Sequence, residues 1–253
     1  MQPVAACARA ITTTAVAMVV AAGAWPAAAP QPPRATAVGR PVLVAARRPP
    51  TTRLGDHGDR VRRLQRRLVQ LRFDPGPVDG AYGRRTLMAV WAFQKTQGLR
   101  PDGVVGPRTR RVLAHPRRIG PASPSRRPNR IEIDKGRQLL LLWRNGRLRL
   151  VTHVSTGTGR RYCHRGHCER AVTPVGRYRV FRRIHGWRDA PLGLLYNPLY
   201  FNGGIAVHGA RRVPSRPASH GCVRVPLHIS QYLPGLVPPG MPVRVVARAH
   251  ART

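Results

Sequence analysis

Acidic residues and lysines are scarce in this sequence. Among 253 residues there are 9 Asp and Glu against 45 Lys and Arg, and the only lysines are Lys95 and Lys135. The net charge of +36 at pH 7 indicates an anionic partner such as nucleic acid, acidic lipid or acidic wall polymer. A codon supply biased towards Arg, Ala, Pro and Gly explains the excess equally well. The arginines are spread along the chain rather than stacked on one predicted helix, which disfavours nucleic acid.

The few carboxylates do not form an obvious catalytic pair. Glu132 and Asp134 lie on one predicted strand, too close together to work as such a pair. A metal-dependent wall peptidase or amidase would need separated His, Asp and Glu ligands, and chelators would then inhibit it. That class of enzyme stays an alternative without a motif to support it.

Cysteine is also scarce, with Cys7, Cys163, Cys168 and Cys222 in the whole chain. Cys7 precedes an apolar run, whereas a lipid-modified cysteine would follow it, so Cys7 is assigned to a discarded signal. Outside the cytosol paired cysteines oxidise, and an odd cysteine is a candidate reactive thiol. Counting therefore predicts one bridge and one working thiol among the other cysteines.

The N-terminus has the pattern of an export signal. Arg9 precedes an apolar stretch from Ala10 to Trp25, and small residues follow at Ala27–Ala29. The stretch is short for a membrane-spanning helix. We predict a signal peptide over residues 1–29 and an exported protein, and retention of the segment as an uncleaved anchor stays open.

Two proline-rich stretches divide the remaining chain. Residues 30–50 form a Pro/Ala/Arg linker, and residues 116–129 form a Pro/Ser/Arg linker whose composition predicts a semi-extended tether. They leave two globular domains, 51–115 and 130–248, and a tail at 249–253.

The first of these domains has helical periodicity. Apolar residues at three- and four-residue steps predict one helix through Val61, Leu64, Leu68 and Leu71, a second from about Arg84 to Gln97 that buries Leu87, Val90, Trp91 and Phe93, and a short third from near Pro107 to near Leu113. The pattern D-G-x-x-G-x-x-T at 79–86 returns at 102–109. Each copy is predicted to be a tight turn that leads into a helix.

This segment resembles the small helical peptidoglycan-binding domain that many wall enzymes carry. The residues that support the resemblance are Leu54-Gly55-Asp56, Val61, Leu64-Gln65, Leu68, Asp79-Gly80, Thr86, Ala89-Val90, Phe93-Gln94, Gly98-Leu99 and Asp102-Gly103. The resemblance implies a small all-α, three-helix domain that binds peptidoglycan in a shallow groove near its turns. Most of the matching residues are expected in the core and the turns.

From Arg130 onward the pattern changes to that of strands. Leu139–Trp143 is a continuous apolar run typical of a buried strand, and the pair Asn145-Gly146 predicts a tight hairpin. Further strands are predicted at Tyr178–Val180, Ile205–Val207 and Val243–Val246, with a short helix around His228 to Leu233. This half is predicted to be a mainly antiparallel β domain.

The strongest chemical signal is a cysteine set among glycine and histidine. His208-Gly209 is followed by a run reading S-H-G-C-V-R from Ser219 to Arg224. A thiol is nucleophilic as the thiolate, and a nearby histidine can take its proton. Gly221 lets a substrate backbone approach, and the N–H groups around Gly221 and Cys222 are candidates for binding an oxyanion. A buried cysteine beside a core histidine is the structural alternative for such a pair taken alone.

The combined motif resembles the active-site signature of L,D-transpeptidases with a YkuD-type catalytic domain. Thr173-Pro174-Val175-Gly176 and Gly193–Pro198 extend the likeness over about Arg130 to Ala247. The resemblance implies that Cys222 is the nucleophile and that His208 accepts and later donates the proton.

The resemblance also implies roles for the neighbours of the thiol. His220 is expected to orient the thiol or to line the oxyanion site, and Ser219 and Gly221 are expected to shape the loop. Arg224 is expected to hold the site together or to meet an acidic part of the substrate. Which of His208 and His220 is the base stays open.

The reaction implied is acyl transfer between peptidoglycan stem peptides. The thiol attacks the carbonyl before a terminal D-alanine, which leaves, and the amine of another stem resolves the thioester into a 3→3 cross-link. Attack by water would make the same site an L,D-carboxypeptidase. The implied partners are stem peptides, glycan and carbapenem-type β-lactam inhibitors, and the implied location is the cell wall outside the membrane. Neither a cofactor, nor nucleic acid, nor an obligatory protein partner is required.

The segment from Cys163 to Cys168 contains two cysteines and two histidines within six residues. Zinc sites usually draw ligands from two structural elements, and this segment is short and exported. A disulfide that closes a small loop is therefore favoured over zinc. A non-catalytic wall-binding protein is the remaining alternative for the whole chain, and the intact Cys222, His208 and His220 argue against it.

Overall fold

The structure, a computed structural model, describes residues 50–122, 125 and 127–247. The predicted signal peptide, all but the last residue of the first linker and the tail lie outside these residues. The elements in chain order are α1 (Asp59–Gln70), α2 (Arg84–Thr96), α3 (Pro107–Ala114), β1 (Arg130–Asp134), β2 (Leu139–Arg144), β3 (Arg147–His153), β4 (Arg161–His164), β5 (His167–Arg170), β6 (Gly176–Arg179), β7 (Arg182–Arg183), β8 (Trp187–Arg188), β9 (Leu195–Asn202), β10 (Ile205–Ala210), β11 (Val223–Pro226), α4 (Leu227–Leu236) and β12 (Pro242–Val246). The predicted fold class, a small helical domain followed by a mainly β domain, is confirmed. Across the described part of the chain, no helix combines the length and apolar character needed to cross a membrane.

The helical domain is held together by the apolar stripes of its helices. Leu68 on α1 and Val90 and Phe93 on α2 are fully buried, as the periodicity predicts. Leu87 and Trp91, which the periodicity also assigns to the core, are only half-buried. Both side chains lie next to the second Asp-Gly turn, where a side chain on the turn glycine would collide with them.

The repeated D-G-x-x-G-x-x-T segments are two copies of one turn, and each copy is held by a buried glutamine. Gln65 Nε2 donates to Asp79 Oδ1 at 2.9 Å, and the Gly80 N–H donates to Gln65 Oε1 at 2.9 Å. Gln94 makes the same two bonds, to Asp102 Oδ1 at 2.8 Å and from the next glycine N–H at 2.9 Å. These glutamines therefore satisfy turn groups that would otherwise be buried without partners.

The β domain contains two larger sheets and a separate hairpin. The first sheet has the strand order β3-β2-β1-β12-β6, and the second has β11-β10-β9-β7 with β8 also paired to β9. The pairs β1/β12 and β10/β11 are parallel and the other pairs are antiparallel. Asn145 and Gly146 both have positive φ, at 51° and 72°, and they close the β2–β3 hairpin as the Asn-Gly pair predicts.

Strand β2 is buried on both faces, and each face belongs to a different core. Leu140 and Leu142 pack between the two sheets, together with residues of α4. Leu139 and Leu141 pack on the opposite face, against the side chains of the helical domain. This double burial explains why β2 has a continuous apolar run instead of alternation.

The helical domain is fixed to that outer face by specific contacts. Phe73, just after α1, forms an isolated bridge with Val151 of β3 and packs edge-on against Phe93, with 5.6 Å between ring centroids. Tyr232 of α4 donates its hydroxyl hydrogen to Asp74 Oδ2 at 2.7 Å. The two domains therefore share one apolar interface within a single compact unit.

The second linker makes hydrogen bonds to both domains. The Arg117 N–H donates to Gln97 Oε1 at 2.8 Å, and Gln97 Nε2 donates to the Arg117 carbonyl at 3.2 Å. Ala122 is buried, and its N–H donates to Glu132 Oε2 at 2.7 Å. The composition predicts a semi-extended tether; most of the described residues of this segment are exposed, but hydrogen bonds at Arg117 and Ala122 fix it to both domains.

Candidate functional site

The register of β10 and β11 brings the motif residues together. His208 on β10 lies directly opposite Arg224 on β11, and Cys222 stands two residues before Arg224. Because alternate residues of an extended chain point to the same side, the three side chains share one face of the sheet. All three line a single cavity of about 840 Å³.

Two glycines of the motif are required by this packing. A Cβ on Gly209 would lie 2.0 Å from Ser230 Oγ, so α4 can pack this closely only against a glycine. Gly221 has φ of +150°, and a Cβ there would lie 3.1 Å from the Val172 carbonyl. The glycine beside the thiol therefore permits a backbone shape that other residues rarely adopt.

The turn before the thiol is held by two hydroxyl groups. Ser219 Oγ donates to the Cys222 carbonyl at 2.5 Å and accepts from the Gly221 N–H at 3.1 Å. The buried Thr173 donates to the Gly221 carbonyl at 2.6 Å and accepts from the Gly157 N–H at 2.9 Å. The Gly221 N–H, expected as a candidate for binding an oxyanion, is thus occupied by Ser219.

Among the described residues, Cys222 is the cysteine outside the disulfide, and its side chain is half-buried. Its sulfur accepts from the Ala206 N–H at 3.4 Å, and its own hydrogen is directed to the Gly204 carbonyl at 3.7 Å. Burial raises the pKa of the Cys222 thiol, while the Ala206 N–H and the Arg224 guanidinium act in the opposite direction. Burial is the larger effect, so the resting group is a thiol.

His208 has one fixed tautomer. Its Nδ1 lies 2.9 Å from the Gly209 carbonyl, which can only accept, so the hydrogen of the neutral ring sits on Nδ1 and Nε2 is left as an acceptor. Burial lowers the pKa of His208 to about 4, helped by the Arg224 charge and opposed by the Gly209 bond. At neutral pH the ring is therefore an uncharged base.

His220 has a different environment from His208. It is exposed, and its ring packs against Tyr162 with 4.7 Å between centroids. Tyr162 donates its hydroxyl hydrogen to Glu169, and this bond raises the pKa of Tyr162 to about 12. The two motif histidines thus differ in burial.

The Cys163–Cys168 segment forms the β4–β5 hairpin beside the cavity. The two cysteines pair across the hairpin and are joined by a disulfide. His164 and His167 pair in the same way next to the turn. Within the described ranges, no set of three or more His, Cys, Asp or Glu side chains is placed to hold a metal ion.

The cavity has a basic rim and an apolar wall. Its lining includes five arginines and one glutamate: Arg165, Arg170, Arg211, Arg212, Arg224 and Glu169. The apolar part consists of Val172, Trp187, Ala190, Pro191, Leu192, Leu194, Leu195, Ile205 and Ala210. Such a surface suits a peptide that carries free carboxylates.

The structure brings all six motif residues to this cavity: Ser219, His220, Gly221, Cys222, His208 and Arg224. Sequence reasoning missed Tyr162 and Glu169, which line the same cavity from the hairpin. It quoted Thr173 only as part of a turn, although this side chain holds the Gly221 carbonyl. Tyr162 lies next to Cys163 in the sequence, and this position was the signal that could have linked it to the site.

Comparison with known families identifies both halves of the chain. Residues 57–113 match the family of peptidoglycan binding domains, and residues 128–245 match the YkuD family, described as the L,D-transpeptidase catalytic domain. A crystal structure of an L,D-transpeptidase from Xylanimonas cellulosilytica is similar, with 40% identity and a TM-score of 0.74. The match covers 78% of this chain and 98% of that one.

The curated relatives match in the helical domain only. An uncharacterised protein of Kitasatospora aureofaciens is 51% identical over 55 residues, which is 21% of this chain and 47% of the relative. The N-acetylmuramoyl-L-alanine amidase CwlM of Mycobacterium tuberculosis is 46% identical over 57 residues, which is 22% of this chain and 14% of the relative. The chain thus spans less than half the length of these relatives.

Proposed function

We propose, since the chain belongs to the L,D-transpeptidase family with a YkuD-type catalytic domain, that it forms 3→3 peptidoglycan cross-links through a thioester on Cys222. The observation that carries the proposal is the pairing of a free, half-buried thiol with a neutral imidazole in one cavity. The tautomer of His208 leaves its Nε2 free to accept a proton.

In the first step, Cys222 Sγ attacks the carbonyl carbon between the third stem residue and the terminal D-alanine. The sulfur–carbon bond forms as the thiol proton passes to His208 Nε2. The amide carbon–nitrogen bond then breaks, and the departing D-alanine takes that proton on its amine. Because the resting thiol is directed to the Gly204 carbonyl, it must turn away from that group to reach His208.

In the second step, the side-chain amine of another stem attacks the thioester. The amine proton passes to His208 Nε2 and then to the departing sulfur, which restores the thiol. The amide bond to D-alanine is exchanged for the new amide bond by way of the thioester, so the cycle needs neither ATP nor a cofactor. If water attacks in place of the amine, the product is a trimmed stem and the enzyme acts as an L,D-carboxypeptidase.

The other motif residues support these steps. Arg224 lies close enough to the thiol to favour the thiolate as it forms, and its charge adds to burial in lowering the pKa of His208. Ser219 and Gly221 fix the turn that presents Cys222. The exposed His220 faces the substrate side of the cavity, where it orients the thiol or helps to bind the oxyanion.

The partners follow from the two domains. The helical domain binds peptidoglycan, and the cavity accepts a stem peptide whose carboxylates meet the basic rim. The high positive charge also favours anionic wall polymers. Carbapenem-type β-lactams would acylate Cys222 in place of the donor stem. The protein would then work in the cell wall, outside the membrane, where it contributes to wall organisation and cell shape.

The test is intact-protein mass spectrometry of the full chain incubated with a disaccharide-tetrapeptide donor, with Cys222→Ala as the matched control. The expected result is an acyl adduct on the wild type, absent from the control, with release of D-alanine. A dimeric muropeptide establishes transpeptidation, and a tripeptide alone establishes carboxypeptidation. Folded, reduced wild type that gives neither adduct nor D-alanine would leave the non-catalytic wall-binding alternative.

A further inference from the structure

The segment that leads to Cys222 is held through three successive carbonyl groups. The Pro214 carbonyl lies 2.8 Å from His153 Nε2, and the Arg216 carbonyl accepts from Ser155 Oγ at 2.8 Å. The Ser215 carbonyl accepts from Lys95 Nζ at 3.4 Å. His153 and Ser155 belong to the catalytic domain, whereas Lys95 lies on α2 of the peptidoglycan-binding domain.

Lys95 also determines how His153 can bond. The Lys95 Nζ lies 2.9 Å from His153 Nδ1, and an ammonium group has hydrogens to donate but no lone pair to accept. Nδ1 must therefore be the acceptor, and the ring hydrogen sits on Nε2, where it donates to the Pro214 carbonyl. Trp91 packs edge-on against the ring at 5.4 Å and limits its rotation.

The choice of lysine at this position is notable in so arginine-rich a chain. The chain has only two lysines among 45 Lys and Arg residues, and here the compact ammonium group lies between an imidazole nitrogen and a carbonyl oxygen, at 2.9 Å and 3.4 Å. Burial lowers the pKa of Lys95 to about 8, so the group stays charged at neutral pH. Burial and the Lys95 charge lower the pKa of His153 to about 3, which keeps that ring neutral.

We propose that Lys95 is a positioning residue for the acyl-transfer reaction: through His153 it holds the segment of residues 211–221 so that Cys222 is presented to His208. The peptidoglycan-binding domain thus supplies part of the scaffold of the catalytic loop. The inference rests on the proposed function in so far as Cys222 is the nucleophile.

The consequence of losing Lys95 follows from the same geometry. Without the ammonium, His153 Nδ1 can take a hydrogen and donate it to the Gln138 carbonyl, which lies 3.3 Å away. The lone pair of Nε2 would then face the Pro214 carbonyl at 2.8 Å, an unfavourable contact between two acceptors. The ring would either change tautomer and release the loop, or become protonated to keep both bonds.

The experiment uses the full chain labelled with ¹⁵N-histidine, and compares the wild type with Lys95→Met. In the wild type, His153 is expected to carry its hydrogen on Nε2. In Lys95→Met the ring is expected to shift to the Nδ1–H tautomer or to the imidazolium. Acylation of Cys222 by a carbapenem is expected to slow about tenfold, the effect of one charged hydrogen bond. Lys135→Met, which removes the other lysine, is the matched control and should stay within twofold of the wild type.

Three outcomes overturn the proposal. A wild-type His153 with its hydrogen on Nδ1 does so without any variant. Acylation of Lys95→Met at the wild-type rate also overturns the proposal. Slower acylation with an unchanged His153 tautomer overturns it too, because that result indicates a packing effect only. If Lys95→Met does not fold, the wild-type tautomer alone decides: a hydrogen on Nε2 supports the proposal and a hydrogen on Nδ1 overturns it. A wild type that shows the expected tautomer and carbapenem adduct but releases no D-alanine contradicts the proposed function and leaves the positioning role intact.

Discussion

The interface between the two domains should make them unfold together, and Phe73→Ala tests this directly. Phe73 belongs to the helical domain, but its side chain is fully buried where that domain meets β3. If the domains were independent, truncating this side chain would lower the stability of the helical domain alone, because Phe73 packs on Phe93 of α2. If they share one core, the change should lower the stability of both domains by the same amount.

The expected size of the effect follows from the burial of the ring. Phe73 is 1% exposed and packs edge-on against Phe93. Replacing a fully buried phenylalanine by alanine costs about 3–5 kcal/mol, which includes the lost aromatic contact. Since whole domains are stable by about 5–15 kcal/mol, the loss is a large share of the total. Val69→Ala, at a position 48% exposed on α1, is the matched control and should cost about 0.5 kcal/mol or less.

Urea unfolding measured with two probes separates the possibilities. Loss of the far-ultraviolet helical signal reports mainly on the helical domain, which contributes α1, α2 and α3 against α4 of the catalytic domain. The labelling rate of the Cys222 thiol by a maleimide reports on the catalytic domain. Coincident midpoints, shifted equally by Phe73→Ala, are expected. Two separated transitions in the wild type, or a shift of the helical signal alone, would refute the shared core.

Two further predictions concern the site itself. His208 has a pKa of about 4 when folded, against 6.5 for an unperturbed histidine. The unfolded chain therefore binds the proton first, and the wild type loses stability as the pH falls from 6.5 towards 4. Over that pH range the free energy of unfolding of His208→Gln should fall by about 3 kcal/mol less than that of the wild type. Equal losses in the two proteins would contradict the buried neutral ring. Gly221→Ala should lower the free energy of unfolding by about 1–3 kcal/mol, because of the positive φ and the nearby Val172 carbonyl, and should slow acylation of Cys222. Gly235 has open space around it, so Gly235→Ala should change neither quantity. Urea titration measures the first effect and mass spectrometry the second.

Local patterns in the sequence predicted most of the secondary structure. The helices around Leu68 and Phe93 follow from apolar spacing within single segments, and the Asn145-Gly146 turn follows from the φ angles that those residues tolerate. The motif residues around Cys222 share one cavity because His208 and Arg224 lie on paired strands and Ser219–Cys222 form the turn before the second strand. These are features that a chain segment determines largely by itself.

The missed features all depend on contacts between distant parts of the chain. The apolar run Leu139–Trp143 indicated burial, but not that the helical domain covers one face of β2. Lys95 is one basic residue among 45 in the sequence, and only the fold places it on His153. Tyr162 reaches the cavity because the hairpin folds over the thiol, and no periodicity marks that approach.

The hydrogen-bonded linker and the shared interface affect how such an enzyme would reach stem peptides in the wall. A binding module on a flexible tether raises the local concentration of substrate over a broad volume, and the catalytic site then samples every stem within reach. Here Phe73 and the Arg117–Gln97 pair remove that freedom. If the proposed function holds, the fixed placement of the two domains means that the point at which the helical domain binds the wall would determine which stem peptides can reach the cavity.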